Sequence, residues 1–79
     1  MDCEKDVINI IAKVLEVSPE LINEETAIGD IQEWDSLRHL IIISELEKEF
    51  QISFEPEEIM DLEDVSDIVA AINERKGVI

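Results

Sequence analysis

The stretch DSLRHLIIISELEKEF, residues 35–50, decides the fold, because it contains the strongest helical pattern in the chain of 79 residues. From residue 36 onward it contains no Gly or Pro, and its apolar residues recur at helical spacing. The preceding segment, residues 26–34, has no sustained period and contains a Gly. The sequence therefore predicts a loop followed by a helix over 36–50, with Asp35-Ser36-Leu37 at their junction.

The predicted helix 36–50 turns one side toward a core. At about 100° per residue, that side comprises Ile43, Leu46 and Phe50, flanked by Leu40 and Ile42. His39 falls in the same sector. Ile41 lies nearly opposite, on the side of Leu37 and Ser44. One helix face cannot bury three consecutive isoleucines, so we expect Ile41 to be exposed.

The rest of the chain predicts three further helices and a short turn. Helical spacing or helix-start signals mark residues 4–16, 56–61 and 65–76, and Ser18-Pro19-Glu20 starts a short turn through Ile22. Gly77 is expected to stop the last helix. We therefore expect one all-α domain over 1–79, a small irregular bundle of three longer helices and one short helix.

Composition excludes several functional classes. The chain carries 21 acidic and 6 basic residues, a net charge of −15, which disfavours nucleic acid and anionic membranes. No apolar run approaches membrane-spanning length, and the acidic first residues do not resemble a signal peptide. Cys3 cannot form an internal disulfide, and we expect it to be inert near a frayed terminus. These features favour a cytoplasmic monomer.

Ser36 is the first candidate functional residue. It falls in the first turn of the predicted helix, where unpaired backbone N–H groups and the helix dipole favour a phosphate ester. The alternative is that Asp35 or Ser36 is simply an N-cap, because both residue types are common there.

A second candidate feature is an exposed strip beside Ser36. Leu37, Ile41 and Ser44 share one side of the predicted helix next to Arg38, and residues 36–44 contain no acid. An apolar strip of this kind is typical of a docking surface. Single exposed apolar residues are, however, also common on ordinary surfaces.

Catalytic and metal-binding patterns are missing from the sequence. Ser36 has no G-x-S-x-G context, and the single His39 has no orienting carboxylate in the pattern. One Cys and one His supply no metal-ligand cluster, and the acidic residues from 55 to 67 lack calcium-loop spacing. We therefore expect neither an enzyme nor a metal site.

Taken together, these residues resemble the acyl carrier proteins. The resemblance covers nearly the whole chain and lies in the helix at 4–16 and the segments VSPELI (17–22), DSL (35–37), ELEKEF (45–50), PEEI (56–59) and VSDIV (65–69). It implies that a phosphopantetheinyl transferase loads 4'-phosphopantetheine from coenzyme A onto Ser36, with Asp35 and Leu37 helping recognition. Acyl-loading and acyl-transferring enzymes are the other implied partners.

An apolar interior between the helices would then be a possible acyl pocket. Its candidate lining residues are His39, Leu40, Ile43, Leu46, Ile59, Met60 and Ile68. Ordinary core packing is the alternative role for each of them.

The chain also departs from carriers of bacterial fatty acid synthesis, which usually have acidic residues where this chain has Arg38 and Ile41. Together with Trp34, this resembles specialised carriers of lipid, polyketide-like or cell-surface polysaccharide pathways.

A carrier of aminoacyl, peptidyl or D-alanyl groups is an alternative. A different class of function is an acidic helical adaptor that docks through Leu37, Ile41 and Trp34, with Ser36 only a cap. A hydrolase or transferase of acyl groups is a distant third.

Overall fold

The computed structural model describes residues 3–76. Its four α-helices are α1 (Glu4–Leu15), α2 (Ser36–Phe50), α3 (Pro56–Asp61) and α4 (Val65–Lys76), with a 3-10 turn at Pro19–Leu21. Within the described residues, strand-like pairing is limited to isolated bridges. The prediction of an all-α bundle with three longer helices and one short helix is confirmed.

Local signals explain where these helices begin and end. The Asp64 carboxylate accepts the N–H of Asp67 at 2.8 Å, which caps the start of α4. α3 starts with Pro56 and a capping box between Glu55 and Glu58. α1 ends one residue earlier than predicted, because Glu16 adopts a left-handed conformation and its N–H turns back to the helix carbonyls. The predicted stop at Gly77 lies outside the described residues.

The core lies between α1, α2 and α4. Its fully buried aliphatic side chains come from all three helices: Val7, Ile11, Leu15, Ile42, Ile43, Leu46, Val65, Ile68 and Ile72. The loop before α2 adds Trp34, the largest of the fully buried side chains. Burial of this apolar surface is the main favourable contribution to folding.

The long loop between the 3-10 turn and α2 is fixed against the start of α4. The N–H of Ile28 donates to the Glu63 carbonyl at 2.9 Å, and the N–H of Val65 donates to the Thr26 carbonyl at 3.0 Å. These bonds hold the loop beside the link between α3 and α4. As a result, the Ser36 end of α2 lies next to α3.

Arg75 connects α4 to α3 and to the segment before it. Its guanidinium pairs with Glu58, donates to the Ser53 carbonyl at 2.9 Å and lies 4.9 Å from the ring centre of Phe54. The pKa of Glu58 is lowered, chiefly by the backbone N–H of Glu55 and then by its hydrogen bond from Arg75. α3 is thus held by charged contacts as well as by apolar packing.

Cys3 corrects one expectation. Its side chain is buried, and its thiol donates to Asn73 Oδ1 on α4 at 3.3 Å. Cys3 itself is thus packed against α4 rather than frayed, while residues 1 and 2 lie outside the described residues. Among residues 3–76, no helix has the length and apolarity needed to cross a bilayer.

Candidate functional site

Ser36 is the first residue of α2, and its side chain is exposed. Asp35 is the N-cap: its backbone is extended, and its Oδ1 accepts the N–H of Arg38 at 2.8 Å. Of the two capping alternatives, the structure shows Asp35. The Ser36 hydroxyl is not needed for the cap and faces solvent.

The first turn of α2, which follows the Asp35 cap, favours an anion at Ser36. The first turn of α2 contains no acidic side chain, in a protein of net charge −15. The backbone N–H groups at the start of a 15-residue helix carry partial positive charge. A phosphate ester on Ser36 would therefore be stabilised by its position in the helix.

A closed loop positions Ser36. The N–H of Gly29 donates to the Trp34 carbonyl at 3.0 Å, and the N–H of Trp34 donates to the Ile31 carbonyl at 2.9 Å. Gly29 has a φ of +93°, which side-chain-bearing residues rarely adopt. The loop therefore reverses at Gly29 and brings Trp34 against α2, immediately before the cap.

Trp34 contradicts its predicted role in docking. Its side chain is 0 % exposed, and its Nε1–H donates to His39 Nδ1 at 3.0 Å. The two rings stack with their centres 6.0 Å apart. The prediction that Trp34 contacts partners is wrong, because the indole is anchored inside the protein by His39.

His39 is 7 % exposed, in the core-facing sector that the sequence predicts. Burial lowers its pKa from the usual 6.5, while the backbone groups of Ile59 and Leu62 act in the opposite direction. Because Nδ1 accepts from Trp34, the neutral ring carries its proton on Nε2. His39 is therefore a neutral residue that links α2 to the loop before it.

A shallow groove of about 330 Å³ begins at Ser36. Four of the predicted pocket residues line it together with Ser36: His39, Leu40, Ile59 and Met60. Leu40 and Met60 are 56 % and 78 % exposed and form its rim, although the sequence places Leu40 beside the core.

The other lining residues were not predicted. Ile28, Leu62 and Glu63 come from the loop and from the link between α3 and α4. No local pattern marks them, because they reach the groove through the tertiary hydrogen bond between Ile28 and Glu63.

Three predicted pocket residues lie elsewhere. Ile43, Leu46 and Ile68 are at most 1 % exposed and pack in the core, so they do not line this groove. That they line an interior acyl pocket stays a prediction.

The predicted docking strip is exposed. Leu37 is 68 % and Ile41 is 42 % exposed, Ser44 is exposed, and Arg38 is half-buried. Arg38 and Ile41 also line a second open groove between α1 and α2. The prediction that Ile41 faces solvent is confirmed.

Comparison with known proteins identifies the family. The family described as phosphopantetheine attachment site matches residues 5–72, whereas no curated protein matches the chain. Among solved structures, the holo acyl carrier protein from Geobacter metallireducens superposes with a TM-score of 0.85 at 28 % identity, covering 96 % of this chain and 87 % of that one.

The family assignment has direct consequences. The cofactor is a covalently bound 4'-phosphopantetheine, and the protein is a carrier, not an enzyme. Acyl carrier proteins work with phosphopantetheinyl transferases and with acyl-handling enzymes. The sequence match over most of the chain and the shared fold show that this chain belongs to the phosphopantetheine-binding family of carrier proteins.

Proposed function

We propose that Ser36 carries the phosphopantetheine arm and that the protein presents acyl groups to partner enzymes as thioesters. The observation that supports this most strongly is the exposed hydroxyl of Ser36 at the start of α2, next to a cap supplied by Asp35. A phosphodiester at this hydroxyl would meet no acidic side chain in the first helical turn. The residues present therefore fit the group.

Each neighbouring residue has a defined contribution. Asp35 fixes the start of α2 and is itself exposed, and Leu37 projects into solvent on the other side of Ser36. Both are accessible to a transferase that reads the residues around the hydroxyl. The bound arm supplies a thiol for thioester formation, while the carrier supplies position and recognition.

We further propose a specialised pathway, in lipid, polyketide-like or cell-surface polysaccharide synthesis. The support is Arg38 and exposed Ile41 on α2, which offer a partner a cation and apolar contact where acidic residues are usual in fatty acid synthesis. The net charge of −15 favours partners with basic surfaces and disfavours nucleic acid. An aminoacyl, peptidyl or D-alanyl carrier remains the alternative within the family, and a cytoplasmic monomer is the expected state.

The adaptor hypothesis loses one of its three contact residues. Trp34 is fully buried, whereas Leu37 and Ile41 stay exposed. The same two side chains serve a carrier equally well as a docking surface. Family membership therefore favours the carrier.

Incubation with coenzyme A and a broad-specificity transferase tests the proposal. The wild-type protein should gain the mass of one phosphopantetheine group, and Ser36→Ala should gain none. Ser66→Ala, which removes an exposed hydroxyl in the first turn of α4, is the matched control and should be modified like wild type. A wild-type protein that gains no mass would support the adaptor instead.

A further inference from the structure

At its inner end, the groove at Ser36 meets the side chain of His39, which is hydrogen-bonded to Trp34. His39 lines the groove with very little exposed surface, and fully buried Trp34 contacts it through a hydrogen bond and a ring stack. The fully buried side chains of Ile43 and Ile68 belong to the core rather than to the groove. Trp34 and His39 thus form part of the boundary between the groove and the interior.

This boundary joins three parts of the fold. Trp34 belongs to the loop before α2, His39 belongs to α2, and His39 lines the groove together with Ile59 on α3 and Leu62 just after it. A chain that entered the interior from the groove at this point would have to move the imidazole of His39 away from the indole of Trp34. The separation would leave buried polar atoms without partners, which is unfavourable in an apolar interior.

The native arrangement satisfies these groups. Among the described residues, every fully buried side-chain nitrogen and oxygen that lies in a non-exposed residue has a hydrogen-bond partner. The groove itself is small, at the lower end of the range for ligand sites, which begins near 300 Å³. Its walls at Ile28, Ile59 and Met60 are apolar and suit an uncharged acyl group.

We propose that the Trp34–His39 pair closes the interior of the bundle to cargo, so that this carrier shelters short acyl groups in the surface groove. The methylenes of longer chains then stay in solvent. The proposal rests on the proposed attachment at Ser36 and names the class of cargo: short, uncharged acyl groups. In this role Trp34 and His39 determine chain-length specificity, and neither takes part in chemistry.

A series of loaded proteins tests this inference. Wild-type protein is loaded at Ser36 with acetyl, butyryl, hexanoyl, decanoyl or dodecanoyl 4'-phosphopantetheine, which the transferase takes from the matching acyl-coenzyme A with release of the nucleotide part. The Tm of each loaded protein is then measured. We expect the Tm to rise over the shortest chains and then stay constant. In methyl NMR spectra, Ile28 and Ile59 should shift while Ile43 and Ile68 stay unchanged. A Tm that rises through dodecanoyl, with shifts at Ile43 and Ile68, would overturn the proposal.

Two variants test the role of the pair. Trp34→Leu removes the indole N–H and opens space, and His39→Leu makes the floor of the groove apolar. In either variant, decanoyl and dodecanoyl forms should be more stable than the hexanoyl form. Leu21→Ala, at an exposed position outside the groove, is the control and should keep the chain-length limit of wild type. If a folded Trp34→Leu or His39→Leu protein stops gaining stability at the same chain length as wild type, the proposed role is refuted.

Intact mass separates this inference from the proposed function. Each loaded sample is weighed before melting, with Ser36→Ala as the blank. Absence of loading counts against Ser36 as the attachment site. The chain-length limit of the loaded wild-type protein decides, separately, whether the interior is closed.

Discussion

The indole Nε1–H of Trp34 donates to Nδ1 of His39 over 3.0 Å in the interior of the protein. The bond connects the last part of the loop to the second turn of α2, close to the Asp35 cap and Ser36. It also requires a neutral imidazole, because a protonated Nδ1 could not accept. The geometry around Ser36 therefore depends on the protonation state of His39.

Stability should fall as the pH drops below neutrality. Burial lowers the pKa of folded His39 below 6.5, so the unfolded chain takes up this proton first. The contribution of neutral His39 to the free energy of unfolding is fully present above pH 6.5. It is lost as the pH falls from 6.5 to the lower pKa of His39 in the folded protein. Urea unfolding over this range measures it.

The control for this prediction is His39→Asn, whose side-chain oxygen can accept the Trp34 N–H but does not titrate. The free energy of unfolding of His39→Asn should fall less steeply with decreasing pH than that of wild type, because the variant has no imidazole to protonate. Parallel pH curves for wild type and His39→Asn would contradict the prediction.

Removal of the Asp35 cap should weaken α2. Asp35→Ala leaves the N–H of Arg38 without its 2.8 Å partner, and loss of such a cap costs about 1 kcal/mol. Asp35→Asn retains an oxygen acceptor and should lose less. Chemical denaturation measures both, and an Asp35→Ala protein as stable as wild type would exclude a capping contribution.

The surface of α2 should govern the choice of partner. Arg38 would repel the basic patch of a malonyl transferase of fatty acid synthesis, and Ile41 offers it no charge. The double variant Arg38→Asp with Ile41→Glu should accept malonyl groups faster than wild type, as measured on holo-protein. The native partner, which we expect to present an apolar surface, should bind the same variant less well.

A matched control is Lys5→Asp with Leu21→Glu, which makes the same kinds of change at exposed positions outside α2. It should leave the rate of malonyl loading unchanged. Wild-type loading as fast as that of a housekeeping carrier assayed alongside would show that Arg38 and Ile41 do not discriminate.

The helices follow from local features of the sequence. The observed bounds of α2, α3 and α4 match the predicted ones, because Asp35, Pro56 and Asp64 mark their starts within one residue. The burial of His39 and the exposure of Ile41 follow from helical spacing alone. The choice of Ser36 as a candidate likewise follows from the sequence, because the junction between the loop and helix 36–50 can be predicted there.

Features that depend on tertiary contacts could not be predicted in this way. Trp34 lies in a segment without periodicity, so its burial depends on the loop that reverses at Gly29 and on its bond to His39. Ile28 reaches the groove through its hydrogen bond to Glu63, which follows it by 35 positions. Helical spacing cannot indicate such a contact.

Localisation of the phosphopantetheine group by electron-transfer fragmentation is the most direct test of attachment at Ser36. After loading, trypsin should release residues 14–38, a peptide that contains both Ser18 and Ser36. Fragment ions should place the added mass on Ser36. Added mass on Ser18, or on a peptide that lacks Ser36, would contradict the proposed attachment site.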